Sequence, residues 1–122
     1  MKITSPISSG ELIDKLSILH IKLEKVRDTK KLKAISKEHS LLQKLVDQHL
    51  TNYPECSVRF DELFAINLEL WEVEDLLRKK ESLKEFDERF IELARQVYVL
   101  NDKRFAVKDK INTETGSSIC EQ

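Results

Sequence analysis

The sequence predicts an all-α protein, two helical hairpins packed as a four-helix bundle or an elongated variant of one. Three observations carry that reading. Helix breakers are scarce, two Gly and two Pro in 122 residues. They fall at Pro6, Gly10, Pro54 and Gly116, in the two tails and one central turn, and leave long uninterrupted stretches between. Apolar residues recur at steps of three and four along most of the chain, and Ser, Asp or Thr stands where such runs begin, as helix caps do. A chain of 122 residues suits one domain, small enough that burial against another copy would add to its stability. Residues 1–112 form that domain in this reading, and residues 113–122 a flexible tail.

The first helix starts near Ser9. Ser8 as N-cap with Glu11 three residues on makes a capping box, and Ile7 and Leu12 are spaced for a hydrophobic staple. Leu12, Leu16, Leu19, Leu23 and Val26 form a heptad seam that Ile13 widens, while Ile18 and Ile21 cover another surface. At "VRDTKKLK" the period slips, and Asp28 or Thr29 caps a second helix over about residues 30–50. That helix carries Leu32, Ile35, Leu42, Leu45 and Val46 on one side, with Leu41 beside them. "HLTNYPECS" ends it, and Ser57 is placed to cap a third helix from about Val58 to Lys80. Its seam reads Phe60, Leu63, Asn67, Leu70, Glu74 and Leu77, widened by Phe64 and Trp71.

"ESLKE" offers a second capping box, Ser82 with Glu85, or else an unbroken helix through this point. The fourth helix then covers about residues 83–112 with Phe86, Phe90, Leu93, Val97, Leu100, Arg104, Val107 and Ile111 on its seam. At 1.5 Å per residue it would be roughly 45 Å long. A compact monomer of this size does not cover that length, so its end is expected to pack on another subunit or to protrude.

Charged residues make up 35% of the chain, yet 21 basic against 22 acidic side chains leave a net charge of -1. No whole-protein field therefore recruits nucleic acid or an anionic membrane. Locally, Lys22 to Lys37 holds seven basic and two acidic residues, and Asn52 to Asp75 one basic and seven acidic. The basic stretch lacks interleaved aromatics, and the acidic helix of a neighbouring copy would satisfy it as well as phosphates, so nucleic acid is not the expected partner. Cys56 and Cys120 show no CxxC or Cys/His spacing, which fits a reduced cytoplasmic setting. "MKITSPISSG" has no apolar leader core, and no apolar run approaches the roughly 18 residues of a membrane span, so a soluble, unexported protein is expected.

No Gly-rich phosphate loop, HExxH, ExxH pair or nucleophile elbow occurs, and no cofactor is expected. His20, His39 and His49 are dispersed and read as surface or boundary residues. The informative signal is polarity on the seams. Asn67, Glu74 and Arg104 occupy positions that otherwise hold Leu or Phe, with Asn101 one turn from Arg104. Such groups are costly to bury unless paired. In a hairpin turning near Ser82, Glu74 lies level with Phe90 and Arg104 with Phe60, roughly 21 Å apart, so the two do not pair within it. Lys15 or Lys22 suits Glu74, and Glu11, Asp14 or Asp61 suits Arg104.

The candidate polar cluster is thus Asp14, Lys15, Lys22, Asn67, Glu74, Asn101 and Arg104, either setting register and oligomer state or lining a ligand pocket. A second candidate is the pair of carboxylate spacings Glu11 with Asp14 and Glu72 with Asp75. Each shares a helix face and could hold Mg²⁺ as all-helical nucleotide pyrophosphohydrolases do, although Glu72 and Asp75 lie off the seam and also suit a solvated charged face.

The blocks "GELIDKLSILHIKLEKV", "NLELWEVEDLLR" and "FDERFIELARQVYVLNDKRFAVKDKIN", in that order, make the chain resemble a family of short, all-helical bacterial and phage-borne proteins with no established activity. The resemblance covers nearly the whole chain. It implies an intracellular helical protein and an accessory role beside glycosyltransferase and surface-polysaccharide genes, and it carries over no functional residue.

Two functional expectations follow. The leading one is a non-enzymatic, self-associating helical module, dimeric or larger, whose polar seam residues fix register. The alternative is a small-molecule or Mg-dependent nucleotide hydrolase site in which Glu11, Asp14, Lys15, Glu74, Asn101 and Arg104 converge on a cleft.

Overall fold

The structure, a computed structural model, describes residues 1–117. Its elements are α1 (Ser9–Lys25), α2 (Thr29–His49), α3 (Glu55–Ser82) and α4 (Glu88–Glu114). Local chemistry explains three of the four starts. The Ser8 hydroxyl accepts the Glu11 N–H at 3.1 Å, and the Asp28 carboxylate accepts the Lys31 N–H at 3.1 Å. The Asp87 carboxylate accepts the Phe90 N–H at 2.9 Å. Each cap satisfies one of the free amides at a helix N-terminus.

α1 is the axis of the bundle. It packs on α2, α3 and α4, while α1 is the only helix that α2 packs on. α3 and α4 form the long hairpin. α1 runs against α4, with Gly10 beside Asn112 and Asp14 beside Arg104. It runs in the same sense as α3, with Ile13 clustered near Cys56 and Lys22 near Glu74. Neighbours on three sides explain why Leu12, Ile13, Leu16, Leu19 and Ile21 are all buried. α2, with one neighbour, has no fully buried residue.

One core cluster joins Leu12, Ile13, Leu50, Cys56, Leu63, Val107 and Ile111, with Leu42, Leu45 and Val46 of α2 packed on it. A second, inside the hairpin, joins Leu70, Val73, Leu93 and Leu100, and Ile66 touches both.

Two helix starts depart from expectation. α3 starts at Glu55, so Ser57 lies in its first turn and does not cap it. Pro54 already has φ -60°, and the amides of Cys56 and Ser57 donate to the carbonyls of Tyr53 and Pro54, which winds the chain into helix early. α4 starts at Glu88, not near residue 83. The Ser82 hydroxyl donates back to the Lys79 carbonyl at 2.7 Å and closes α3 instead of opening α4. α3 ends in a left-handed turn, with Lys84 at φ 55° and the Glu85 amide on the Lys80 carbonyl at 2.9 Å.

These corrections remove the length argument for a second subunit. α4 has 27 residues and lies along α3, which has 28, so the two long helices cover each other. The far end of α4 packs on the start of α1. Gly10, expected as a breaker in a tail, is the second residue of α1 and makes this approach possible. A Cβ there would lie 2.5 Å from the Lys108 carbonyl oxygen and 2.9 Å from Asn112 Oδ1. The Gly10 N–H donates to that same Oδ1 at 2.8 Å.

α4 continues two residues past the expected limit and closes through Gly116 at φ 64° and the Ser117 amide on the Asn112 carbonyl at 2.8 Å. The rest of the expected tail, Cys120 included, lies outside the described residues. Among the described residues, no helix is long and apolar enough to cross a membrane.

Candidate functional site: a buried carboxylate joining three helices

Asp14 on α1 is fully buried, and its partners come from α4 and α3. Arg104 donates from Nε to Oδ1 at 2.9 Å and to Oδ2 at 3.1 Å, and from Nη2 to Oδ2 at 2.5 Å. Asn67 Nδ2 donates to Asp14 Oδ1 at 2.9 Å and to Ser17 Oγ at 2.9 Å. The Ser17 hydroxyl donates to the Asp14 carbonyl at 2.7 Å. Lys108 Nζ lies 4.0 Å from Asp14 Oδ2 and makes its closer contact, 2.7 Å, with Glu11 Oε2.

Hydrogen bonding to Asp14 raises the Arg104 guanidinium above its ordinary range; burial opposes this, and the charges of Asp14, Glu11 and Glu74 reinforce it. A buried pair of this kind offsets its own desolvation with little surplus, but it punishes any packing that separates the partners. Through these bonds one carboxylate joins α1, α3 and α4.

Of the seven candidate residues, the structure brings Asp14, Asn67 and Arg104 into direct contact. Asn101 is exposed and touches Arg104 only through a 3.4 Å contact from Nη1 to its Oδ1. Glu74 is not on the seam. After Leu70 the buried series steps by three to Val73, which leaves Glu74 exposed and 3.7 Å from Arg78. Lys22 shares a cleft with Glu74 and Arg104, but among the described residues neither Lys22 nor Lys15 forms an ion pair with Glu74. Lys15 departs altogether, exposed on the side of α1 that faces the N-terminal segment. Of the acids suited to Arg104, Asp14 is its partner, Glu11 is held by Lys108, and Asp61 is exposed.

The carboxylates Glu11, Asp14, Glu72 and Asp75 do not gather. Glu11 and Asp14 are engaged by Lys108 and Arg104, Glu72 is exposed, and Asp75 faces Arg78 at 3.4 Å. Among the described residues no group of three or more His, Cys, Asp or Glu is placed to hold a metal ion.

Some contacts escaped the sequence. His20 and His39, dispersed in the chain, meet across α1 and α2 with Nδ1 and Nε2 3.2 Å apart, and the His20 ring makes T-shaped contacts with Phe60 and Phe64. Arg59 near the start of α3 bonds Glu114 at the end of α4, Nη2 to Oε1 at 2.7 Å. Neither has a sequence signal until the register of the helices is known.

Fold and site together define an all-α bundle in which one buried carboxylate ties a central helix to a long hairpin. The chain belongs to a family of unknown function, DUF6165, whose family model matches residues 1–122, the span over which the three sequence blocks lie. No curated protein and no solved structure matches it.

Proposed function

We propose that the protein is a cytoplasmic, non-enzymatic helical module that associates with itself, a second copy lying antiparallel along the outer face of α4. The observation that carries this is a second apolar stripe on that helix. Ile91, Tyr98 and Phe105 repeat at heptad spacing and, with Val99, are between 41% and 60% exposed. The buried Leu93, Leu100 and Val107 follow the stripe by two residues, roughly 200° around the helix, so the stripe lies opposite the core. The inner seam of α4 is occupied by α3 and α1, and no other described helix packs on its outer face.

Charge favours a copy of the same chain. Arg95 and Asp102 flank Tyr98 on the same face, are exposed, and form no ion pair with another described residue. In an antiparallel pairing about Tyr98, Ile91 meets Phe105 of the other copy, and Arg95 meets Asp102, twice by symmetry. A non-enzymatic role is supported by the polar seam groups, since the Asp14 carboxylate is buried and engaged by Asn67 and by Arg104 Nε and Nη2.

The test is light scattering with charge exchange. Arg95→Asp and Asp102→Arg should each shift the wild-type dimer toward monomer by setting like charges together, and the double exchange should restore it. Monomer at high micromolar concentration for the wild type, or a dimer indifferent to both single changes, overturns the reading.

A further inference from the structure

Beside the buried Asp14, and open to solvent, α1, α3 and α4 enclose a cleft of about 230 Å³. Its apolar lining is Ile18, Ile21, Leu70 and Trp71, and its polar lining, which includes the buried Asn67, carries the charges of Lys22, Glu74 and Arg104. Two features of this lining point to an anion. Arg104 is anchored through Nε and Nη2 on Asp14, so its remaining nitrogen, Nη1, is held at the cleft with only the 3.4 Å contact to Asn101. A guanidinium fixed in this way does not have to be ordered again when a ligand arrives. Lys22, on α1, is half-buried, lines the same cleft and has no carboxylate within ion-pair distance among the described residues.

From this geometry we infer that the cleft binds a small organic carboxylate with an apolar body. The carboxylate lies between Lys22 Nζ and Arg104 Nη1, and the apolar part lies against Ile18, Leu70 and Trp71. A bare inorganic anion would leave the apolar walls uncovered, and an amine would face the two cations Lys22 and Arg104 against the single carboxylate of Glu74. The site is built by the intramolecular packing of α1, α3 and α4, so it is independent of the association proposed above.

Trp71 is the only tryptophan in the chain, so all tryptophan emission comes from a residue that lines this cleft. The experiment titrates the full chain with isocaproate and with phenylacetate, following tryptophan emission and, separately, heat by calorimetry. A saturable change below about 10 mM is expected, and Lys22→Glu should weaken it about tenfold, the loss of one charge-assisted contact, with an unchanged helical circular-dichroism spectrum. Isoamylamine and inorganic phosphate should do neither. Absence of saturation, an equal response to isoamylamine or phosphate, or an unchanged affinity in Lys22→Glu would each overturn the inference.

Discussion

Arg104 of α4 grips both carboxylate oxygens of Asp14 on α1, and the two differ in access to water: the Arg104 side chain is 27% exposed and that of Asp14 0%. The asymmetry predicts which half of the pair is harder to lose. Arg104→Ala strands a buried charge whose nearest remaining cation, Lys108, is 4.0 Å away and already committed to Glu11, and should cost about 3 kcal/mol or more. Asp14→Asn leaves a guanidinium that can turn to solvent, and should cost distinctly less. Urea denaturation of both single variants and the double variant checks the order, and a cycle showing no coupling would break the assignment of the pair as the link between helices.

Gly10 answers for how close α1 and α4 can come. Gly10→Ala should lower stability by about 1–3 kcal/mol, because the added methyl meets the Lys108 carbonyl oxygen, a backbone atom that cannot rotate away. The greater helix propensity of Ala works in the other direction and would prevail if the helices could simply separate. A thermal midpoint at or above that of the wild type would show that they can.

What was legible in the sequence was local chemistry and the strongest periodicity. Ser8 and Asp28 announce their helices because a cap needs only its own next three residues. Asn67 and Arg104 stood out as polar residues on apolar seams, and they are in contact with a buried acid. Glu74 misled because a seam extrapolated from Leu63 and Leu70 cannot see the step of three to Val73. The Ser82 and Glu85 pair imitated a cap, and the competing left-handed turn at Lys84 leaves no mark in residue type. Gly10 and Asn112 are 102 residues apart, beyond any local pattern. The heptad of Ile91, Tyr98 and Phe105 is visible in the sequence, but the inner seam of the same helix is stronger and masks it.

His39 makes the junction of α1 and α2 sensitive to acid. Burial first, and then the charge of His20, hold its imidazole below the ordinary range. A folded-state pKa lower than the unfolded one means that this contribution is fully present above the ordinary value of about 6.5 and is lost as pH falls through it toward the lower folded value. α2 packs on α1 alone, so the effect should appear as a larger loss of amide protection, taken relative to the free-peptide exchange rate at each pH, in α2 than in α3 on moving from about pH 7.5 to 5.5. His39→Gln should flatten that difference; an equal acid response in the variant would place its origin elsewhere.

Lys84 closes α3 with φ 55°, a conformation that costs an ordinary L-residue about 1 kcal/mol and glycine nothing. The turn is otherwise well made, with the Lys84 amide on the Glu81 carbonyl at 3.0 Å and the Glu85 amide on the Lys80 carbonyl at 2.9 Å. Lys84 is exposed and forms no ion pair with a described residue, so replacing it removes strain without removing a contact. Lys84→Gly should therefore raise the thermal midpoint by about 2 °C, equivalent to about 0.5 kcal/mol after the added freedom of glycine in the unfolded chain is set against it. Lys84→Ala keeps the strained φ and should leave the midpoint near the wild-type value, which separates relief of strain from loss of the lysine charge. A fall in the midpoint for Lys84→Gly would mean that the flexibility glycine adds to the unfolded chain outweighs the strain that it relieves.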